Sequence, residues 1–369
     1  MSSKFNLRHL LHPIIQAPMS GISTPAMAAA VSKSGGLGSF GFAYATPDDI
    51  WNNIATAKSL NAQHLNANFF IFSSINDDLV KNLAPRVVSH LEQFPYSDKH
   101  TRSLLHAPYV PNLKEQLEPI WESRPEVLTF HFGIPDKRVL KMAQDYKISV
   151  GITATNIDEA IAIEQSGADF IIAQGIEAGG HMGTFDTDPL PCRLQSVSSL
   201  VHAIRTHDIT KNMQVVAAGG IMDGNDMHTI MHPPHEGKVG ADLVQLGTAF
   251  LATDESQASI AFKQQLYAKS DREAVLTSAF SGRYARAISN DFVEGWGSMD
   301  TLPFPVQNTM TTGMRKQAAE YNDAEYLSMY AGVNYRRCRH IAVEKLMELL
   351  VEEYHQCRVR QYVGADVDN

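Results

Sequence analysis

The sequence predicts an α/β chain folded as a (β/α)8 TIM barrel with a helical insertion and a C-terminal cap region. Three observations predict it. Eight short apolar runs recur in order along the first two thirds of the chain. Nearly every run is followed by a polar or glycine-bearing turn and then a helical pattern. The runs are mostly continuous in apolar character, as parallel strands covered on both faces require. An open doubly wound sheet would gather its ligand at one switch point near one glycine-rich turn. Here polar and glycine residues close almost every strand, which favours the barrel.

The first strand spans residues 13–17. Thr24-Pro25 opens a helix as N-cap and first-turn proline, and Gly35-Gly36 end it. Residues 37–40 form the second strand, Thr46-Pro47 repeats the capping device, and residues 65–71 form the third. A helical or irregular stretch, 74–124, intervenes. The fourth strand, 127–132, closes on Gly133-Ile134-Pro135, and the fifth spans 147–152. Its helix opens near Thr155-Asn156, with Asp158 and Glu159 placed for a capping box, and Gly167 stops it. Strands six to eight cover 169–173, 213–217 and 242–246. Beyond Phe250 the pattern changes: 256–269 is helical, 277–290 polar and arginine-bearing, 296–308 rich in turns, and 322–357 strongly helical. The expected division is therefore a barrel of 1–73 and 125–255, an insertion of 74–124 over its mouth, a cap of 256–320, and C-terminal helices, 321–369, returning to the barrel.

Composition narrows the function. The 369 residues are 44% hydrophobic and 19% charged, enough for a large core, which excludes disorder as the main state. No run approaches the ~18 apolar residues of a membrane span, and the N-terminus has no signal-peptide core. A net charge of −9 without a basic cluster argues against nucleic acid or an anionic membrane as partner. Cys192, Cys338 and Cys357 form no disulfide framework, so a cytoplasmic setting is expected. Residues 346–351 offer an apolar helix face, leaving monomer and homodimer both open.

In a barrel the loops after the strands build the site. Strand seven runs into Ala218-Gly219-Gly220-Ile221 and strand eight into Gln245-Leu246-Gly247-Thr248, two adjacent glycine turns suited to a phosphate. Strand six ends in Gln174-Gly175-Ile176-Glu177-Ala178-Gly179-Gly180-His181, a backbone fit to fold over a flat ligand. Gln174 offers an amide to a ring edge. His181 is expected in a flexible, accessible loop, with a pKa near neutrality for proton transfer. His131 ends strand four, Asn68 lies in strand three, and Met19 suits contact with an aromatic ring. These residues predict a barrel that binds a phosphorylated, flat cofactor with a histidine beside it, and flavin mononucleotide, FMN, fits. His228, His232, His235 and Glu236 invite a metal reading, but Pro233-Pro234 breaks their helix and no metal is expected. Neither a G-x-S-x-G elbow nor a P-loop is present.

At these residues the chain resembles the nitronate monooxygenases, formerly called 2-nitropropane dioxygenases. The matches are residues 13–19, His131-Phe132-Gly133, 174–181, 218–221 and 245–248, in the family's order. The resemblance implies an FMN barrel that oxidises alkyl nitronates with O2 to a carbonyl compound and nitrite, with no nicotinamide. It carries FMN contacts onto Met19, Asn68, Gln174, Gly179, Gly180, Gly219, Gly220, Gln245, Gly247 and Thr248, catalysis onto His181, and substrate contacts onto His131 and Tyr109. Ser281-Gly282-Arg283 and Pro305-Val306-Gln307-Asn308 also look familial. Where many relatives read Trp-Ala-Gly-Gln, this chain has Tyr330-Ala331-Gly332-Val333, and residues 224–240 form a longer stretch than usual. His181 is expected to steady the anion as imidazolium or to remove the α-proton of a neutral nitroalkane. The competing readings are an FMN- and NAD(P)H-dependent enoyl-thioester reductase, a flavin-free phosphate-binding barrel, and a binding protein on a decayed barrel.

Overall fold

Eight parallel strands close into a barrel in the computed structural model, which describes residues 4–97, 104–106, 108–185, 194–234, 237, 239–268 and 271–365. In chain order the strands are β1 (Ile14–Gln16), β2 (Gly38–Gly41), β3 (Leu65–Phe70), β4 (Val127–His131), β5 (Ser149–Ala154), β6 (Phe170–Gln174), β7 (Gly180–His181), β8 (Gln214–Ala218), β9 (Leu243–Leu246), β10 (Ala274–Thr277) and β11 (Ala285–Ile288). The barrel order is β1-β9-β8-β6-β5-β4-β3-β2. Gln16 N donates to Leu37 O and Leu37 N to Ile14 O, each at 3.0 Å, which joins β2 back to β1. Strands β7, β10 and β11 form a separate antiparallel sheet over the mouth.

The helices are α1 (Pro25–Lys33), α2 (Pro47–Ser59), α3 (Asp77–Leu91), α4 (Leu113–Ser123), α5 (Lys137–Asp145), α6 (Ile157–Ser166), α7 (Val197–Thr206), α8 (Gly224–Met231), α9 (Thr248–Leu251), α10 (Ile260–Tyr267), α11 (Asp291–Trp296), α12 (Val306–Glu320) and α13 (Val343–Ala365). Both Thr-Pro starts behave as their chemistry requires. Thr24 Oγ1 accepts from Met27 N, and Thr46 with Asp49 completes a capping box. Glu159 departs from the expected box: its carboxylate accepts from Thr155 N at 2.7 Å and from Phe185 N at 2.8 Å.

Side chains inside the barrel divide by height. Leu7 and Leu10, from the N-terminal segment, share one buried cluster with Ile15, Leu37, Val127, Phe170, Ile172, Val216 and Leu243. Gly151 exists to admit Phe170, because a Cβ there would fall 2.1 Å from the ring. Gly151→Val is expected to lower the thermal midpoint, with a cost of ~1–3 kcal/mol for overpacking, read by thermal denaturation. Nearer the mouth the interior turns polar. Asn66 Nδ2 donates to Ser39 Oγ, Thr129 Oγ1 to Asn66 Oδ1, and Asn68 Nδ2 to Thr129 Oγ1, at 3.0–3.1 Å.

The insertion serves two structures. Helix α4 packs on α2, and Gln116 Nε2 donates to Phe42 O and Ala45 O, so this helix belongs to the barrel's outer ring. Helix α3 instead buries Val80, Val87, Val88 and Leu91 against Phe280, Phe292, Trp296, Val306 and Met310 of the cap. The tail also differs from the helix expected over 322–357. Residues 327–334 contain no regular helix, and α13 begins only at Val343. Leu346, Met347 and Leu350 are buried, and α13 packs on α1 and α8, so this apolar face is core.

Candidate active site

His181 lies in a strand, not in the flexible loop expected from its flanking glycines. β7 pairs with β11 in the register Ala285↔His181 and Arg286↔Gly180, and Met182 N donates to Tyr284 O at 2.9 Å. Two arginines fasten this segment to the cap. Arg286 donates to Ile176 O and Ala274 O. Arg283, 2% exposed, bonds Met182 O and both oxygens of Thr184, with its guanidinium 4.0 Å above the Phe132 ring. Glycines bend the Gln174–His181 turn, but hydrogen bonding across β7 and β11 removes the mobility they would otherwise confer.

The tautomer of His181 follows from Ser281. Ser281 Oγ donates to Arg283 O at 3.0 Å, so its single hydrogen is spent. The 2.9 Å contact with His181 Nε2 therefore needs Nε2–H as donor. Nδ1 keeps its lone pair and has no hydrogen-bond partner among the described residues. Burial is the largest cause that lowers the His181 pKa, to about 3, with Arg283, His131 and Arg315 acting in the same direction. The value departs from the near-neutral one expected, and the ring is neutral at neutral pH. The reason is the aromatic wall around it, with ring centroids of Tyr330, Phe304, Phe132 and Phe70 at 5.1, 5.6, 5.9 and 6.3 Å.

Residues beneath His181 brace its main chain. His131 Nε2 donates to His181 O at 3.3 Å, and its Nδ1 accepts from Thr153 Oγ1 at 3.0 Å. Burial lowers its pKa to about 4, so it too is neutral. Gln174 Nε2 donates to His181 O at 3.1 Å, while its Oε1 accepts from Gly183 N at 2.7 Å. Both ends of the Gln174 amide thus hold the histidine segment. Asn68, 5% exposed, is tied to Thr129 below the mouth. Tyr109 packs against the apolar cluster of the cap, where burial and Asp77 raise its pKa.

The glycine turns of β8 and β9 meet the 331–338 tail. Gly219 and Gly220 have φ of +133° and +70°. Asn334 Nδ2 donates to Gly220 O at 2.7 Å, and Val333 N to Glu177 O at 3.1 Å. Gly332 N donates to Thr248 Oγ1 at 2.9 Å, which leaves the Thr248 hydroxyl hydrogen to be donated elsewhere. Gly247 precedes the four-residue α9 without a side-chain cap, and a Cβ on it would lie 4.0 Å from Met19 Sδ. Gln245 Oε1 is buried with no hydrogen-bond partner among the described residues. An orphaned acceptor beside open glycine N–H groups fits a ligand with a phosphate and an N–H or hydroxyl donor.

Sequence reasoning missed the cap sheet, Ser281 as the partner of His181, and the roles of Phe304, Arg315 and Tyr330. The only signal for Ser281 and Phe304 was their place in or beside the Ser-Gly-Arg and Pro-Val-Gln-Asn segments. Among the described residues no group of three His, Cys, Asp or Glu can hold a metal ion; His235 and Glu236 lie outside them. His232 Nε2 instead contacts Tyr354 Oη at 3.0 Å. No helix among the described residues is long and apolar enough to cross a membrane.

A sequence profile described as nitronate monooxygenase matches residues 2–353. A protein of Staphylococcus saprophyticus described as a probable nitronate monooxygenase is 33% identical over 361 residues, covering 95% of this chain and 96% of its own. Among solved structures, nitroalkane oxidase from Streptomyces ansochromogenes superposes with a TM-score of 0.85 at 32% identity, over 96% of this chain and 99% of that one. FabK from Thermotoga maritima superposes with a TM-score of 0.70 at 25% identity, over 96% of each.

Proposed function

Because the chain belongs to the nitronate monooxygenase family, a family of flavin-dependent oxidoreductases, we propose that it binds FMN and uses O2 to convert alkyl nitronates to a carbonyl compound and nitrite, without NAD(P)H. The observation that carries this reading is the charge around His181. Among the described residues the charged groups acting on it are Arg283 and Arg315, and no carboxylate. A neutral histidine in a cationic, aromatic-walled site suits an anion that is already rich in electrons.

FMN, when bound, supplies the ring that accepts electrons from the substrate and passes them to O2. The chain would hold it through Gly219, Gly220, Gly247 and Thr248 at the phosphate, with Gln245, Met19, Asn68 and Gly179–Gly180 toward the ring. Gln174 and His131 keep the His181 main chain in place. Phe70, Phe132, Phe304 and Tyr330 exclude water from the reacting carbon. His181 Nδ1 is the atom that takes an α-proton when the substrate arrives as a neutral nitroalkane. Its low pKa makes it a weak base, so preformed nitronates are the better substrates. The proposal places the enzyme in the cytoplasm, as monomer or homodimer, with only small molecules as partners.

Nitrite release from a series of alkyl nitronates in air, with and without NADH, tests the reading. Nitrite is expected in both cases. NADH bleaching of the flavin under anaerobic conditions, with no nitrite from any nitronate, would establish the enoyl-thioester reductase instead. Protein that stays colourless with excess FMN would leave the flavin-free barrel.

A further inference from the structure

Among the described residues Arg315 of α12 has no carboxylate as counterion. Its Nη2 donates to Asn308 O at 3.0 Å, Asn308 Oδ1 at 2.8 Å and Thr312 Oγ1 at 2.9 Å. Nε donates to Thr311 O and Nη1 to Ser328 Oγ, both at 3.3 Å. Every acceptor is neutral, and among the described residues no carboxylate pairs with it. A half-buried guanidinium whose partners are all neutral gains when a negative charge completes it. Nη1 has one acceptor among the described residues, Ser328 Oγ, and its second hydrogen has none there.

Ser328 places this charge beside the reacting histidine. Tyr330 N donates to Ser328 O at 3.0 Å, and the Tyr330 ring lies 5.1 Å from that of His181. Among the described residues the buried Tyr330 hydroxyl has no partner within hydrogen-bond distance, and the Ser281 side chain, whose own hydrogen goes to Arg283 O, acts on it. Arg283 is not an equivalent candidate, since its guanidinium is engaged by Met182 and Thr184 and covers Phe132. Arg315 and Tyr330 thus bring an unspent N–H and an unspent O–H to the same wall of the site.

We propose that Arg315, together with the Tyr330 hydroxyl, anchors the two nitro oxygens of the substrate and so selects the ionised nitronate over the neutral nitroalkane. The planar guanidinium matches a planar pair of oxygens that share one negative charge. A neutral nitro group carries no net charge for it to hold. The inference rests on the nitronate reading for the identity of the anion, but the anion site itself is tested separately.

The probe is nitrate, a planar oxyanion, titrated anaerobically into FMN-loaded enzyme and followed by calorimetry and the visible spectrum. Wild type is expected to bind nitrate, and nitrate to compete with nitronate. Arg315→Met should weaken nitrate binding and raise KM for nitronates by ~10-fold or more, with kcat changed less. Arg315→Lys should fall between the two, and KM for neutral nitroalkanes should hardly move. Tyr330→Phe removes one unpaired hydroxyl and so leaves folding intact; it should weaken nitrate by a few-fold. Wild-type affinity for nitrate in Tyr330→Phe and in whichever Arg315 variant folds would overturn the anchor. So would a parallel rise in KM for neutral and ionised substrates, the mark of a merely structural arginine. Absence of nitrite from wild type would sink the nitronate reading alone, because loss of nitrate binding in the variants would still locate the anion site.

Discussion

His181→Asn retains bound flavin and loses about 10²-fold in kcat/KM on neutral nitroalkanes, the lower end of the ~10²–10⁴ that general-base catalysis supplies. The lower end is expected because burial holds the free imidazole at a pKa of about 3, so the base being removed is already weak. Asparagine is the informative replacement. Its amide is neutral, polar and smaller than the ring, so the β7–β11 pairing is kept, and it offers no basic lone pair. Preformed nitronates need no proton removed, so their kcat/KM should fall much less. The pH dependence has a definite sign. The folded value is depressed from 6.5, so the histidine adds stability that is fully present above 6.5 and is lost as pH falls through that value toward about 3. His131, lowered to about 4, acts in the same sense. Initial rates on preformed nitronate should therefore show no acid limb near 6.5. A limb there, abolished by His181→Asn, would mean the imidazole titrates as an exposed one and that the wall around it is open.

The barrel was legible because its signals are local. Eight apolar runs, two Thr-Pro starts and glycine turns at the strand ends each speak within a few residues. The glycine-rich stretch around His181 was legible for the same reason, as were the turns at Gly219 and Gly247. What surrounds them was not. Residues 274–288 form a hairpin whose purpose is to pair with only two residues of another segment, and a two-residue strand has no period to read. The 322–357 stretch has helical composition, yet the tail near Gly332 is held out of a regular helix by bonds to Thr248, Glu177 and Gly220, partners more than 80 residues away. Helix propensity is weak against several such contacts. The pKa error has one origin: flanking glycines suggest exposure, whereas the walls of Phe70, Phe132, Phe304 and Tyr330 come from four separate parts of the chain. Ser281 is the same case, a common residue given its role only by the fold.

Gly179→Val is expected to yield folded but flavin-poor protein, and Gly167→Asn, at the end of α6, to keep its flavin. The two glycines differ in what a side chain would meet. A Cβ on Gly179 falls 2.5 Å from Ala331 C and Gly332 N, which are backbone atoms that no rotamer change can move. Relief requires the tail to lift, and lifting breaks the Gly332–Thr248, Asn334–Gly220 and Val333–Glu177 hydrogen bonds together. These bonds hold the turns proposed for the phosphate. Losing two or three of them is worth ~2–4 kcal/mol, a weakening of FMN by roughly 30- to 1000-fold. Gly167 has nothing within 4 Å of its Cβ direction; its φ of +84° is left-handed, a region asparagine tolerates at small cost. The barrel's main core does not involve the tail's crossing, so the far-ultraviolet circular dichroism of Gly179→Val should match wild type while its visible absorbance falls. Equal flavin content in both variants would separate the tail from the cofactor, and the turns at Gly219 and Gly247 would then need another ligand to account for the orphaned oxygen of Gln245.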